Sequence, residues 1–281
     1  MSKTQSEQNI SSAEITAYMR SQQPELSRDN VSYHLVSDAG FEKFYEFVEG
    51  MQYPLATRKI FIRAGYFYQQ ALRLLQTGQY DSCISIASGF SMLTYQLARV
   101  VSTEIQFYDT DLPHMLALRQ ARIEQNQTHF DMEILQRMTH QSLDATALEE
   151  QSLKSLFPNC KRPLFIIEGL LYFLEPTAVT RLLNEITSYE KSAVLLDYWP
   201  ENGLAISAIL KRIICQLKGF IAEDIQCFLT SKQLQLLHER YKKISDISIL
   251  EADTLLSEQH NQLPELLDQN EVFPIRILVA E

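Results

Sequence analysis

Two hydrophobic periods alternate along this chain. Short apolar runs rich in β-branched residues, bounded by glycine, proline or acids, predict strands over residues 82–87, 105–108, 132–138, 162–167, 192–197, 243–250 and 273–279. Between them apolar positions return every three or four residues, which predicts helices over 58–78, 90–101, 113–125, 145–156, 177–189 and 230–241. Ser91 stands where it could cap the second of these, Pro113 and Pro176 open two others, and Gly78 is placed to stop the first. Strands separated by helices predict an α/β fold on a mostly parallel, seven-stranded sheet with helices on both faces. The last two strands follow one another and suit an antiparallel hairpin at the sheet edge.

Two segments stand outside the alternation. Before the first strand, a helix over 12–20, a loop over 25–30, a stretch over 31–36 and an aromatic helix over 41–48 form an N-terminal helical cap, assigned to residues 1–57. Such a segment covers a ligand site or simply packs its aromatics on the sheet. Residues 201–229, with helical patterns over 204–206 and 209–220, read as a helical insertion before the sixth strand, either a substrate pocket or an ordinary packed pair of helices.

Composition narrows the class. With 281 residues, 46% of them hydrophobic, and no Pro/Ser/Gly-rich linker, the chain is expected to form a single domain, 1–281. A net charge of −10 argues against nucleic acid or an anionic membrane as the main partner. Cys83, Cys160, Cys215 and Cys227 make no C-x-x-C pair, the first eight residues are polar, and the apolar runs fall well short of the roughly 20 residues of a membrane helix, so a cytoplasmic protein is expected. The six histidines, His34, His114, His129, His140, His238 and His260, show no ligand spacing, and no metal is expected.

The candidate chemistry gathers at strand ends. Strand 82–87 runs into Ser88-Gly89, and Asp109 follows 20 residues after that glycine at the end of the next strand. A glycine there lets the backbone approach a ligand, and an acid at that spacing can accept ribose hydroxyls. A plain strand-helix-strand unit without ligand has the same pattern. Asp144, after the third strand, can accept an adenine amine or cap the helix that follows. Strand 162–167 delivers Glu168-Gly169, and Tyr172 beyond it carries a polar tip that could face a substrate. Arg58, Arg63 and Arg73 share one helix, and any of them, facing inward, could hold a carboxylate by its two-pronged fork.

Taken together these residues resemble the leucine carboxyl methyltransferase family, which includes bacterial S-adenosylmethionine-dependent O-methyltransferases linked to polyketide-type products. Arg63-Ala64-Gly65-Tyr66-Phe67 resembles its arginine motif and Ala87-Ser88-Gly89 its glycine turn. Tyr108-Asp109-Thr110-Asp111-Leu112-Pro113 resembles its acid-x-Asp-Leu-Pro segment, and Leu143-Asp144 falls at its adenine position. Ile167-Glu168-Gly169-Leu170-Leu171-Tyr172-Phe173-Leu174 resembles its Glu-Gly-Leu-Leu-x-Tyr-Leu signature.

The likeness covers roughly residues 13–199 and implies a class I methyltransferase, Rossmann-like, with S-adenosylmethionine as cofactor. It implies Arg63 on the methionine carboxylate, Ala87, Ser88 and Gly89 at the turn, Asp109 with Thr110 at the ribose, and Leu143 with Asp144 at the adenine. Glu168 would contact the cofactor or orient the acceptor, and Tyr172 would orient the acceptor. The chain departs from the family at Tyr68, Ala87, Ser91 and Leu93, where an acid, a glycine, an Asp and an Arg are usual. The expected activity is O-methylation of a small-molecule or peptide carboxylate or hydroxyl. A methyltransferase-like scaffold that binds without turnover is the alternative, and a nicotinamide oxidoreductase is disfavoured by the single glycine.

Overall fold

The computed structural model describes residues 12–51, 55–201, 226–265 and 275–281. Its strands are β1 (Ser82–Ile86), β2 (Gln106–Asp111), β3 (Met138–Ser142), β4 (Pro163–Ile167), β5 (Ala193–Tyr198), β6 (Ile244–Ser248) and β7 (Arg276–Ala280), in the order β3-β2-β1-β4-β5-β7-β6. Every residue of β1, β4 and β5 is buried, as a strand in the middle of a sheet covered on both faces must be. The edge strands are more polar, Met-Thr-His-Gln-Ser in β3 and Ile-Ser-Asp-Ile-Ser in β6, which suits a position with one unpaired side.

One face of the sheet, with Cys83, Phe107, Leu164, Ile166 and Leu195, packs on Ile62, Phe67 and Leu74 of the long helix α4 (Leu55–Gln76). That helix is preceded by α1 (Ser12–Ser21), α2 (Pro24–Ser27) and α3 (Asp38–Met51) and followed across β1 by α5 (Leu93–Ala98). The other face, with Ile84, Phe165, Ile167, Val194 and Leu196, lies among the buried residues that include Val179, Leu182 and Ile186. These three come from a helix numbered here α9, after α6 (Pro113–Gln125), α7 (Met132–Gln136) and α8 (Leu153–Leu156); α9 spans Pro176–Thr187, α10 Ser231–Arg240 and α11 Ile249–Gln259. The cap meets α4 closely: a Cβ on Gly65 would fall 2.0 Å from the carbonyl oxygen of Leu26 in α2, so the α2–α4 contact requires glycine there.

Several expectations are corrected, mostly by capping. Residues 132–136 are helical because the Asp131 carboxylate accepts the N–H groups of Glu133 and Ile134, and the third strand starts only at Met138. The sixth strand stops at Ser248, whose hydroxyl and the Glu251 carboxylate form a reciprocal cap that starts α11. The helix expected over 145–156 shrinks to α8, capped by Ser152. The helix expected over 90–101 is only α5; Met92 stands at its cap and Ser91 reaches just the N–H of Leu93. Residues 25–27 of the expected loop belong to α2, and 31–36 contain a short 3₁₀ turn (Ser32–Leu35). The last two strands do pair antiparallel at the sheet edge, as expected, but α11 lies between them in sequence, and β7 also pairs antiparallel with β5, so that β6 is the edge strand. Of the expected helical insertion, residues 202–225 lie outside the described residues, as do 273–274 of the expected last strand. Where the chain leaves and returns, Leu229 donates its N–H to the Trp199 carbonyl at 2.7 Å.

Candidate functional site

All the parallel strands point their carboxyl ends to one rim, where α/β sheets bind ligands. At β1 the chain turns through Ala87 at φ 53° and Gly89 at φ 52°. Two left-handed residues therefore bracket Ser88, and only the second is glycine; Ala87 holds a conformation that costs an L-residue about 1–2 kcal/mol. The turn is pinned by its neighbour strand: Ser88 N–H donates to the Thr110 carbonyl at 2.8 Å and Gly89 N–H to Asp111 Oδ2 at 2.7 Å. The Thr110 hydroxyl donates to the Ser85 carbonyl. Above the turn lies the cap, with Ala13 of α1 so near that a Cβ on Gly89 would stand 3.0 Å from it.

Asp109 is fully buried and its two oxygens are engaged, by the Thr94 hydroxyl at 2.6 Å and by Arg119 Nη2 at 2.6 Å. Arg119, from α6, also donates to Ser88 Oγ and the Gly89 carbonyl. Its Nε is buried without a hydrogen-bond partner, an orphan donor beside the glycine turn. Asp111, one alternation further along β2, accepts two backbone N–H groups, from Gly89 and Leu112. Burial nevertheless leaves its carboxyl above the usual range. Leu143 is buried in the core, and its N–H donates to the Asp111 carbonyl. Asp144 is exposed; its Oδ1 accepts from the N–H and hydroxyl of Thr146 in a local turn.

A second cluster closes the ends of β4 and β5. Glu168 accepts from Arg63 Nε at 3.1 Å and from Arg20 Nη1 at 2.8 Å, and Arg20 Nε in turn donates to Asp29 at 2.9 Å. Arg63 Nη1 donates to the Tyr172 hydroxyl at 2.7 Å and to Asp197 Oδ2 at 3.1 Å. Gly169, at φ 74°, donates its N–H to Asp197 Oδ1. A Cβ on Gly169 would meet Arg63 Nη2 at 3.2 Å, and that nitrogen makes no hydrogen bond among the described residues. Burial alone would raise the Glu168 carboxyl, but Arg20 and Arg63 outweigh it and hold it below the ordinary range. Burial raises Tyr172 and Asp197, against the pull of Arg63. Burial also works against the Arg63 charge, but Tyr172, Asp197 and Glu168 over-compensate and raise its pKa.

Of the three arginines on α4, Arg63 alone stands at this rim. Arg58 pairs with Asp253 and Ser257 of α11 and ties two helices together, and Arg73 is exposed beside Glu281. The structure thus gathers Arg63, Glu168 and Tyr172 in one cluster and Ala87, Ser88, Gly89, Asp109 and Thr110 in the next. Leu143 and Asp144 lie at the far side of β2. Sequence reasoning missed Asp111 and Asp197, both readable as acids at strand ends, and missed Arg20, Asp29, Thr94 and Arg119, which no pattern marks. Among the described residues no three His, Cys, Asp or Glu side chains group as a metal site, and no helix is long and apolar enough to cross a membrane.

Such a rim can bind and orient an anion-bearing ligand: one arm of a fixed guanidinium and one orphan N–H remain to be satisfied, while the acids are already neutralised. Comparison with known proteins agrees with that architecture. The family model of leucine carboxyl methyltransferases matches residues 10–187. A Thermobifida fusca protein assigned as a methyltransferase superposes with a TM-score of 0.63 at 10% identity, over 98% of this chain and 96% of its own. A DUF574 family protein of Streptomyces avermitilis superposes with a TM-score of 0.61 at 11% identity, over 97% of this chain and 98% of its own. At such identities the likeness is one of fold. No curated protein matches the chain.

Proposed function

The chain belongs to the leucine carboxyl methyltransferase family of S-adenosylmethionine-dependent methyltransferases, and from that premise we propose that it methylates an oxygen of a small-molecule or peptide acceptor, a carboxylate in preference to a hydroxyl. The rim fits the cofactor. Arg63 Nη2 is the donor for the methionine carboxylate, the Ala87–Gly89 turn provides the close backbone approach, and the orphan Nε of Arg119 faces the ribose beside Asp109. Asp109 itself reaches a ribose hydroxyl by exchanging it for Arg119 or Thr94. Leu143 supplies apolar cover for the adenine, and the second oxygen of Asp144 receives the exocyclic amine. When bound, S-adenosylmethionine supplies a methyl group activated on a sulfonium.

Glu168 and Tyr172 decide the acceptor. A hydroxyl must lose its proton as it attacks, and the base that takes it has to be poised near neutral pH. Glu168 is held ionised with an oxygen on each of two arginines, and burial pushes the Tyr172 phenol upward, so neither is poised. His140 sits on β3, with β2 and β1 between it and β4. A carboxylate arrives already anionic and needs no base. Glu168 and Tyr172 then hold Arg63 in place, orient the acceptor and exclude water, which is most of what an in-line displacement asks of a protein.

The test is a screen of carboxylic acids against phenols and alcohols with S-adenosylmethionine, with the rate followed from pH 5 to 9. Turnover of carboxylic acids with no inflection near neutrality is expected. Turnover confined to phenols, rising through a histidine-like pKa that vanishes in His140→Asn, would overturn the carboxylate preference.

A further inference from the structure

Away from the rim, α2, α4 and α5 enclose an open cleft of about 480 Å³ lined by Pro24, Glu25, Arg28, Tyr68, Gln96 and Arg99, with Asn30 and Val100 at its margin. Its donors are unused. Among the described residues neither Arg28 nor Arg99 makes an ion pair or a side-chain hydrogen bond, although this chain carries ten more acids than bases. Gln96 has 7% of its surface exposed, and its amide lines the cleft without a hydrogen-bond partner among the described residues. The Gln96 side chain is buried along its length, but its amide atoms open on the cleft, where water or a ligand meets them. Gln96 of α5 and Arg99 and Val100 of the turn that follows it line the same cleft, so amide, guanidinium and apolar surface stand together there.

We propose that this cleft binds a small phosphate monoester, with the phosphate between Arg28 and Arg99 and the Gln96 amide beneath it. Two guanidiniums, an amide and the Tyr68 hydroxyl offer more donors than the two oxygens of a carboxylate can use, whereas a phosphate presents three acceptor oxygens and about two negative charges. The single acid, Glu25, leaves the lining net positive. Pro24 and Val100 give an apolar wall for the body of the ester, and the volume is that of a small-ligand site. Arg28 and Asn30 flank Asp29, the carboxylate that takes Arg20 Nε, so a bound ester steadies the turn that anchors the cap.

Phenyl phosphate, inorganic phosphate and benzoate are titrated calorimetrically into the full chain at low salt, with Arg28→Gln, Arg99→Gln and Gln96→Leu as variants. Phenyl phosphate should bind about tenfold more tightly than benzoate, and each arginine variant should weaken it about tenfold, the worth of a charge-assisted hydrogen bond. Both arginines are exposed, so the melting temperature without ligand should not change. Amides of residues 26–32 should exchange more slowly when the ester is present. Inorganic phosphate binding as tightly as the ester would assign the site to the free anion and overturn the monoester. Equal affinity for benzoate, full affinity in the Arg28→Gln/Arg99→Gln protein, or no binding at millimolar concentration would each overturn the site.

Discussion

Two acids of the rim, Asp109 near the carboxyl end of β2 and Glu168 just after β4, meet buried arginines in opposite ways. Asp109 is closed by partners near in sequence, Thr94 and Arg119, from the helices that precede and follow β2, and both its oxygens are used. Glu168 is held by Arg20 of the cap and Arg63 of α4, 148 and 105 residues away, and Arg63 then continues to Tyr172 and Asp197. The first cluster finishes a local unit and leaves the Nε of Arg119 spare; the second joins the cap to the sheet and leaves one guanidinium arm of Arg63 spare. Position at a strand end therefore does not settle whether an acid is open to a ligand. The spare donors of the arginine that meets it do.

Substitutions at Arg63, Arg119, Glu168 and Ala87 sharpen or break that contrast. Arg63→Met leaves Glu168 with one arginine and Asp197 with none, which should cost about 3–5 kcal/mol in urea unfolding and abolish S-adenosylhomocysteine binding by calorimetry. Arg63→Lys should recover part of the stability but not the binding, because an ammonium cannot reproduce the fork. If Arg63→Met unfolds at the parent's midpoint, the cluster does not join cap and sheet.

Arg119→Met, which keeps the Thr94 bond to Asp109, should cost less, about 2–3 kcal/mol, and the loss should largely disappear in Arg119→Met/Asp109→Asn. Equal losses with and without the Asp109 change would mean that Arg119 acts by packing alone.

Glu168→Gln should reveal its effect through pH. The folded carboxyl titrates below its unfolded value of about 4.3, so its stabilisation is complete above that value and is lost as pH falls through the folded value. The gap between the urea midpoints of parent and variant should be constant from pH 7 to pH 5 and narrow as the pH is taken down through the folded carboxyl's titration. A gap that widens on acidification would reverse the assignment. The smallest effect belongs to Ala87→Gly, which relieves a left-handed alanine and should stabilise by about 0.5–1 kcal/mol after the glycine's extra unfolded-state entropy is subtracted. A destabilised variant would show that the Ala87 methyl group contributes more by packing than its backbone strain costs.

The core strands were legible because β1, β4 and β5 are buried on both faces, and burial of that kind leaves a continuous apolar run. Errors fell where a short capped helix competes with a strand: Met132, Ile134 and Leu135 are apolar enough for either, and the Asp131 cap decides. The rim was legible from Gly89, Asp109 and Glu168, which lie in or just after the carboxyl ends of strands. What meets those acids was not. Arg20 and Arg119 are ordinary helical arginines until the fold brings them to carboxylates, and Arg58, Arg63 and Arg73 are alike in pattern until Asp253 claims the first and Glu281 the last. The second left-handed residue at position 87 was hidden by its being alanine.

The placement of β7 bears on how the molecule assembles. Five residues, Arg276–Ala280, pair with β5 on one side and with β6 on the other, so β6 has no docking edge until that segment has arrived. The β5–β7 contacts span about 80 residues of chain, a long closure to complete before the reward of pairing. Until it is complete, the apolar edge of β5, Val194 to Tyr198, stays open to strands of other molecules. A cut or truncation that removes residues 275–281 should therefore cost more than seven residues' worth of contacts: it unseats β6 as well and leaves the β5 edge open to aggregation.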